Sequence, residues 1–173
     1  MKRFFIGFCL IQAVLFVLEL TAPVQRWLVV PFTELLALLS IGLIRLLDPQ
    51  VVASGIHLYD IPSGFAMSIE AGCNGIEASI ILLAAIVAFP ASWGQKFWGL
   101  AVGLASLHAL NLVRIISLFY LGQWDMRLFE WAHLYIWQAL IMVDVLIVFL
   151  LWLRYLRRGP AARESAAPEM ADA

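Results

Sequence analysis

The sequence predicts an all-α integral membrane protein: a compact bundle of roughly four to five transmembrane helices, with a small β-hairpin and an amphipathic helix beside it. Three observations predict this. Of 173 residues, 64% are hydrophobic and 13% charged, about half the charge of an ordinary soluble domain. The apolar residues gather in long runs separated by Pro, Gly and charged positions. Basic residues collect at particular ends of those runs, the pattern that orients membrane helices.

One membrane-embedded domain is expected over residues 1–158, followed by a disordered tail over 159–173 rich in Ala, Pro and charge. The net charge of -1 says nothing about nucleic acid, but no basic face is available to bind it, so no nucleic-acid partner is expected and the lipid bilayer is the expected surrounding. Cys9 and Cys73 lie far apart and form neither a zinc spacing nor a closely spaced redox pair. A membrane disulfide oxidoreductase is therefore disfavoured, and no metal or cofactor is expected.

In chain order, Lys2-Arg3 followed by Phe4 to Leu20 resembles a secretory signal but lacks an Ala-x-Ala-like cleavage site. It reads as a retained first helix with its basic end in the cytoplasm and Cys9 as a packing or lipid-facing residue. Thr21 to Trp27 reads as a short break containing Pro23. Pro31 to Leu47 forms a second helical stretch, stopped by Asp48-Pro49. Thr33, Glu34, Ser40, Arg45 and Asp48 share one arc of it, so it is amphipathic. It either crosses the membrane or, in the preferred reading, lies along the outer interface.

Val51-Val52, Ile56 to Tyr59 and Phe65 to Ile69 are β-prone runs punctuated by Gly55 and Ile61-Pro62-Ser63-Gly64. They predict a hairpin outside the hydrocarbon, because an open sheet edge cannot face lipid. Three apolar segments follow: Asn74 to Phe89, Phe97 to Leu121 and His133 to Leu156.

Arg154, Arg157, Arg158 and Arg163 mark the C-terminal end as cytoplasmic, and Lys96 marks the turn before Phe97 likewise. Cys73 and His133 then fall at the outer ends of their helices. Arg114, seven residues before Leu121, lies about 10 Å below that face. A thiol, an imidazole and a guanidinium thus share one depth band. Each has a plain structural role as well as a chemical one. Cys73 alone is most simply a small hydrophobe. At a helix start between Gly72 and Gly75, though, it meets the positive end of a helix, which favours a thiolate. Arg114 is expected to pair with Glu77, and it shares a face with Asn111 at i, i+3. His133 could be an interfacial residue; beside a thiol it is the expected general base and acid. His57 belongs to the hairpin surface, and His108 is expected to pair with Asp144 within the membrane.

The stretches Ala71-Gly72-Cys73-Asn74-Gly75-Ile76-Glu77 and Ala109-Leu110-Asn111-Leu112-Val113-Arg114-Ile115, with the histidine of Ala132-His133-Leu134-Tyr135, resemble the exosortase/archaeosortase family. The short H type is the nearest match. The resemblance extends to Glu19-Leu20-Thr21-Ala22-Pro23, Ser117 to Trp124 and Phe129-Glu130-Trp131, nearly the whole chain up to Arg154. It implies a bacterial inner-membrane cysteine peptidase and transpeptidase whose site faces the periplasm. The implied substrates are exported proteins with C-terminal sorting signals: a short motif (IPTLxxWG for the H type), a hydrophobic helix and a basic tail. Cys73, Arg114 and His133 match the family's catalytic residues, with Glu77, Asn111 and Asn74 in support. The acceptor of the acyl group stays open. A non-enzymatic membrane subunit of an export or assembly complex is the competing class, with Cys73 and His133 incidental. A carboxylate-pair protease is disfavoured because Glu77 and Asp144 lie at different depths.

Overall fold

The computed structural model describes residues 2–158; the expected tail over 159–173 lies outside them. Five helices and one small sheet make up the fold: α1 (Lys2–Glu19), α2 (Ala22–Ile44), β1 (Val51–Ser54), β2 (His57–Asp60), β3 (Ala66–Ser68), α3 (Ile76–Ala88), α4 (Trp93–Trp124) and α5 (Met126–Arg157). The all-α membrane class with a small sheet is thus what the chain adopts. The third β-prone run joins the expected hairpin, giving an antiparallel sheet in the order β1-β2-β3.

Three stretches, α2, α4 and α5, are long and apolar enough to cross a membrane, and α3 is a shorter apolar helix of 13 residues. Contacts, however, give α2 a different course from the rest. Phe4 packs edge-on against Phe89 and Gly7 sits beside Ala88, so α1 runs antiparallel along α3. Gly99 is covered by Trp152, and Gly103 by Leu82 and Val148, which locks α3, α4 and α5 side by side. Trp152 Nε1 also donates to Gln95 O at 3.0 Å. These four helices share the long axis of the bundle, and Lys2, Arg3, Lys96, Arg154 and Arg157 sit together at one end.

Helix α2 stays at the other end. It begins just after Glu19, where α1 has reached the start of α3, and it leads into β1. Between those points Thr33 binds Asn74, Phe32 packs on His108, and Arg45 Nε donates to Val51 O. Both its ends therefore lie at the sheet end. Of the polar arc foreseen in this stretch, Thr33 and Ser40 face inward, whereas Arg45 is exposed. Thr33 and Ser40 are buried, each returning its hydroxyl proton to a backbone carbonyl one turn earlier, while Leu35, Leu38, Leu39 and Leu43 are exposed. That is the arrangement expected of a helix whose outer surface meets lipid rather than water. Instead of a break over Thr21 to Trp27, the chain turns at Leu20-Thr21 and passes through a π-helical segment, Gln25–Val29.

Two boundaries differ from expectation for identifiable reasons. Helix α4 starts at Trp93 because Ser92 and Gln95 form a reciprocal capping box. It then runs through Gly122, whose missing side chain makes room for the Phe65 ring. Helix α5 starts at Met126, not at His133, because the Asp125 carboxylate accepts from Arg127 N at 2.7 Å and Leu128 N at 3.2 Å.

The buried side chains form two clusters. One, at the sheet end, unites Leu36, Ile41 and Ile44 of α2 with Val51, Leu58, Ile69, Ile115 and Phe119. The other joins Leu82, Ile86, Leu107, Ile141, Val145 and Trp152 nearer the basic end. Cys73 packs against the first.

Candidate active site at the sheet end of the bundle

The segment between β3 and α3 is built from turns, because its glycines take up conformations other residues avoid. Gly72 has φ +82° and Gly75 φ +78°. At Gly75 a Cβ would lie 3.3 Å from Asn111 Nδ2, so the backbone there is pressed against α4. Cys73 N donates to Glu70 O at 2.9 Å, closing a turn that presents the thiol. Asn74, almost fully buried, holds the next step: its Oδ1 accepts from Ile76 N at 3.1 Å and its Nδ2 donates to Thr33 Oγ1 at 3.2 Å. Cys73 therefore precedes α3 rather than opening it, and α2 secures the loop from behind.

The three residues foreseen as chemical meet here. Cys73 Sγ lies 2.8 Å from His133 Nε2. Arg114, only 2% exposed, directs Nη2 to Cys73 Sγ at 3.7 Å and Nη1 to Gly72 O at 3.3 Å. His133 is not at a helix start. It sits in a π-helical segment of α5, Ala132–Ile136, and such bulges re-aim side chains, often at functional sites. Phe129, one turn earlier, packs its ring 5.6 Å from the imidazole.

Glu77 takes a role other than the expected partner of Arg114. Its Oε1 accepts from Gly72 N at 2.7 Å, while Arg114 holds the carbonyl of the same residue. The two charges thus meet through Gly72 rather than directly. Asn111 is fully buried one turn from Arg114 and against Gly75; among the described residues, both ends of its amide and Arg114 Nε lack a hydrogen-bond partner. His108 does not pair with Asp144. Its Nε2 lies 3.2 Å from Ser79 Oγ, and its ring stacks edge-on with Phe32.

Burial pushes the Cys73 thiol above its ordinary range; the Arg114 guanidinium pulls it back down, and the Glu77 and Glu70 carboxylates push it up. The sulfur thus meets the imidazole in a setting whose burial disfavours its charged form. The cleft above it is small, about 30 Å³, and is lined by Met67, Ser68, Ile69, Phe129, Cys73, Arg114 and His133, among others.

Thr33 and Phe129 were not singled out as site residues in the sequence, although Thr33 was visible as a member of the polar arc. Phe129 stands at i−4 from His133, a helical neighbour once Asp125 is recognised as the cap.

A helical membrane bundle that gathers a thiol, an imidazole and a guanidinium at one end defines a membrane-embedded cysteine-centred protein. The family model "Transmembrane exosortase (Exosortase_EpsH)" matches residues 3–153. The chain belongs to this exosortase family. It matches no curated protein and no solved structure.

Proposed function

We propose that this exosortase is a cysteine peptidase and transpeptidase acting on C-terminal sorting signals of exported membrane-anchored proteins, with Cys73 as nucleophile. The carrying observation is the 2.8 Å contact between Cys73 Sγ and His133 Nε2, with Arg114 Nη2 3.7 Å from the same sulfur. Residues far apart in the chain and on three separate elements converge there, which incidental residues have no reason to do.

In this reading His133 Nε2 takes the thiol proton and the sulfur attacks a peptide carbonyl, so a tetrahedral oxyanion forms. The Cys73 amide is already committed to Glu70 O. Stabilisation of the oxyanion therefore falls to Arg114, whose guanidinium lines the cleft beside the sulfur. His133 then protonates the leaving amine, and the thioester is resolved by water or by an acceptor nucleophile. Glu77 and Arg114 fix Gly72 from both sides; Asn74 and Asn111 hold the turn against α2 and α4. The basic residues at the opposite end of the bundle support a periplasmic site and a cytoplasmic basic end. The IPTLxxWG type of signal is the substrate carried by the H-type resemblance.

The test is co-expression with a tagged reporter ending in such a signal, its hydrophobic helix and its basic tail. A new reporter C-terminus, mapped by mass spectrometry, is expected with the unaltered chain and not with Cys73→Ser. Normal processing by Cys73→Ser would remove the proposed nucleophile.

A further inference from the structure

Strand β3 is the edge of its sheet and also a wall of the cleft. Its pairing with β2 sets His57 against Ser68, Leu58 against Met67 and Tyr59 against Ala66. Ile69 N donates to Ile56 O at 3.0 Å and Asp60 N to Phe65 O at 2.9 Å. Hydrogen-bonded pairs alternate along an antiparallel ladder. Phe65, Met67 and Ile69 therefore turn their main-chain groups toward β2. Ala66 and Ser68 turn theirs to the open side.

That open side leads to the thiol. Met67, Ser68 and Ile69 line the same cleft as Cys73, Arg114 and His133. Ala66, at the far end of the strand, is exposed. A strand edge with unspent N–H and C=O groups is a template for another extended chain. Only an extended main chain offers donors and acceptors at that spacing. The cleft itself, at about 30 Å³, has room for about one water. It can receive a carbonyl, whereas a longer stretch of substrate must lie outside it.

We propose that β3 is the substrate-docking edge: the residues flanking the scissile bond add to it as a fourth, extended strand, bonded to the main chain of Ala66 and Ser68. This delivers the scissile carbonyl to Cys73 with its plane fixed. Selectivity then comes from alternate side chains, those pointing toward Met67 and Phe129 being read and the others not. The inference rests on the peptidase reading above.

Proline tests it with little harm to the fold. At positions 66 and 68 it removes only an N–H that faces the open side, leaving the β2 ladder intact. In a Cys9→Ser background, Ala66→Pro and Ser68→Pro are compared with Ser68→Ala, which removes only the Ser68 hydroxyl and its bond to Glu70. The readouts are cleavage of the IPTLxxWG-type reporter and the alkylation rate of Cys73 by iodoacetamide. Each proline is expected to slow cleavage about 2- to 12-fold, one main-chain hydrogen bond, with alkylation unchanged, and Ser68→Ala measures the share of the Ser68→Pro loss that belongs to the hydroxyl. A second measurement uses the unaltered chain in detergent with synthetic signal peptides N-methylated at one residue at a time. Loss at every second residue is expected.

Normal cleavage by both proline variants, or N-methyl losses without that alternation, overturns edge docking and leaves the peptidase reading standing. If a proline variant also loses alkylation, the N-methyl series decides alone. No cleavage by the unaltered chain while Cys73 still alkylates overturns the peptidase reading, and edge docking with it.

Discussion

Replacing Arg114 with lysine separates a charge from a directed donor. The guanidinium reaches Gly72 O at 3.3 Å and Cys73 Sγ at 3.7 Å at once and lines the cleft. Lysine retains the charge but ends in one nitrogen and lacks the planar fork. It can serve the thiol or the Gly72 carbonyl, not both together with an oxyanion. Losing an oxyanion donor costs about 100- to 1,000-fold in turnover. Losing the Gly72 anchor adds about 1 kcal/mol of loosening in the turn. The thiol responds differently. Arg114 lowers the Cys73 pKa, so Arg114→Gln should move the pH profile of iodoacetamide alkylation to higher pH. Arg114→Lys should leave that profile nearly in place. Both are measured in a Cys9→Ser background beside single-turnover cleavage of the reporter. Wild-type cleavage by Arg114→Lys would refute the directed-donor role. An unmoved alkylation profile in Arg114→Gln would refute the electrostatic account of the thiol.

Three further outcomes follow from the same geometry. Glu77→Gln keeps an acceptor for Gly72 N but removes a charge that raises the thiol pKa; alkylation should shift to lower pH, whereas Glu77→Ala should also slow cleavage several-fold, by about the worth of one hydrogen bond. Gly75→Ala places a side chain at φ +78° and 3.3 Å from Asn111, which should cost about 1–2 kcal/mol of stability in thermal unfolding of the detergent-solubilised protein. Cysteines at Ser54, on the sheet, and at Gly94, both exposed, should report opposite sides of the membrane. In a Cys9→Ser, Cys73→Ser background an impermeant maleimide should label Ser54→Cys alone in spheroplasts, and the reverse pattern would invert the proposed orientation.

Composition and periodicity were enough to make this a helical membrane protein, because a bilayer tolerates few alternatives to apolar runs of that length. Local chemistry also fixed the breaks: glycines at 72 and 75, the β-prone runs after Pro49, and the basic residues that end up together. Cys73, Arg114 and His133 could be singled out as polar or reactive groups in an apolar chain. What the sequence did not determine was who touches whom. Glu77 and Arg114 have opposite charges at a compatible depth, yet Gly72 lies between them, its N–H donating to Glu77 and its carbonyl accepting from Arg114. Among the described residues His108 makes no bond to Asp144, and Ser79 is what the histidine meets. Thr33 belongs to the site because α2 packs against β1 and α4, which its own hydropathy does not dictate. Depth follows from length along a helix, which a sequence supplies. Azimuth depends on how neighbouring helices pack, and only the tertiary structure decides it.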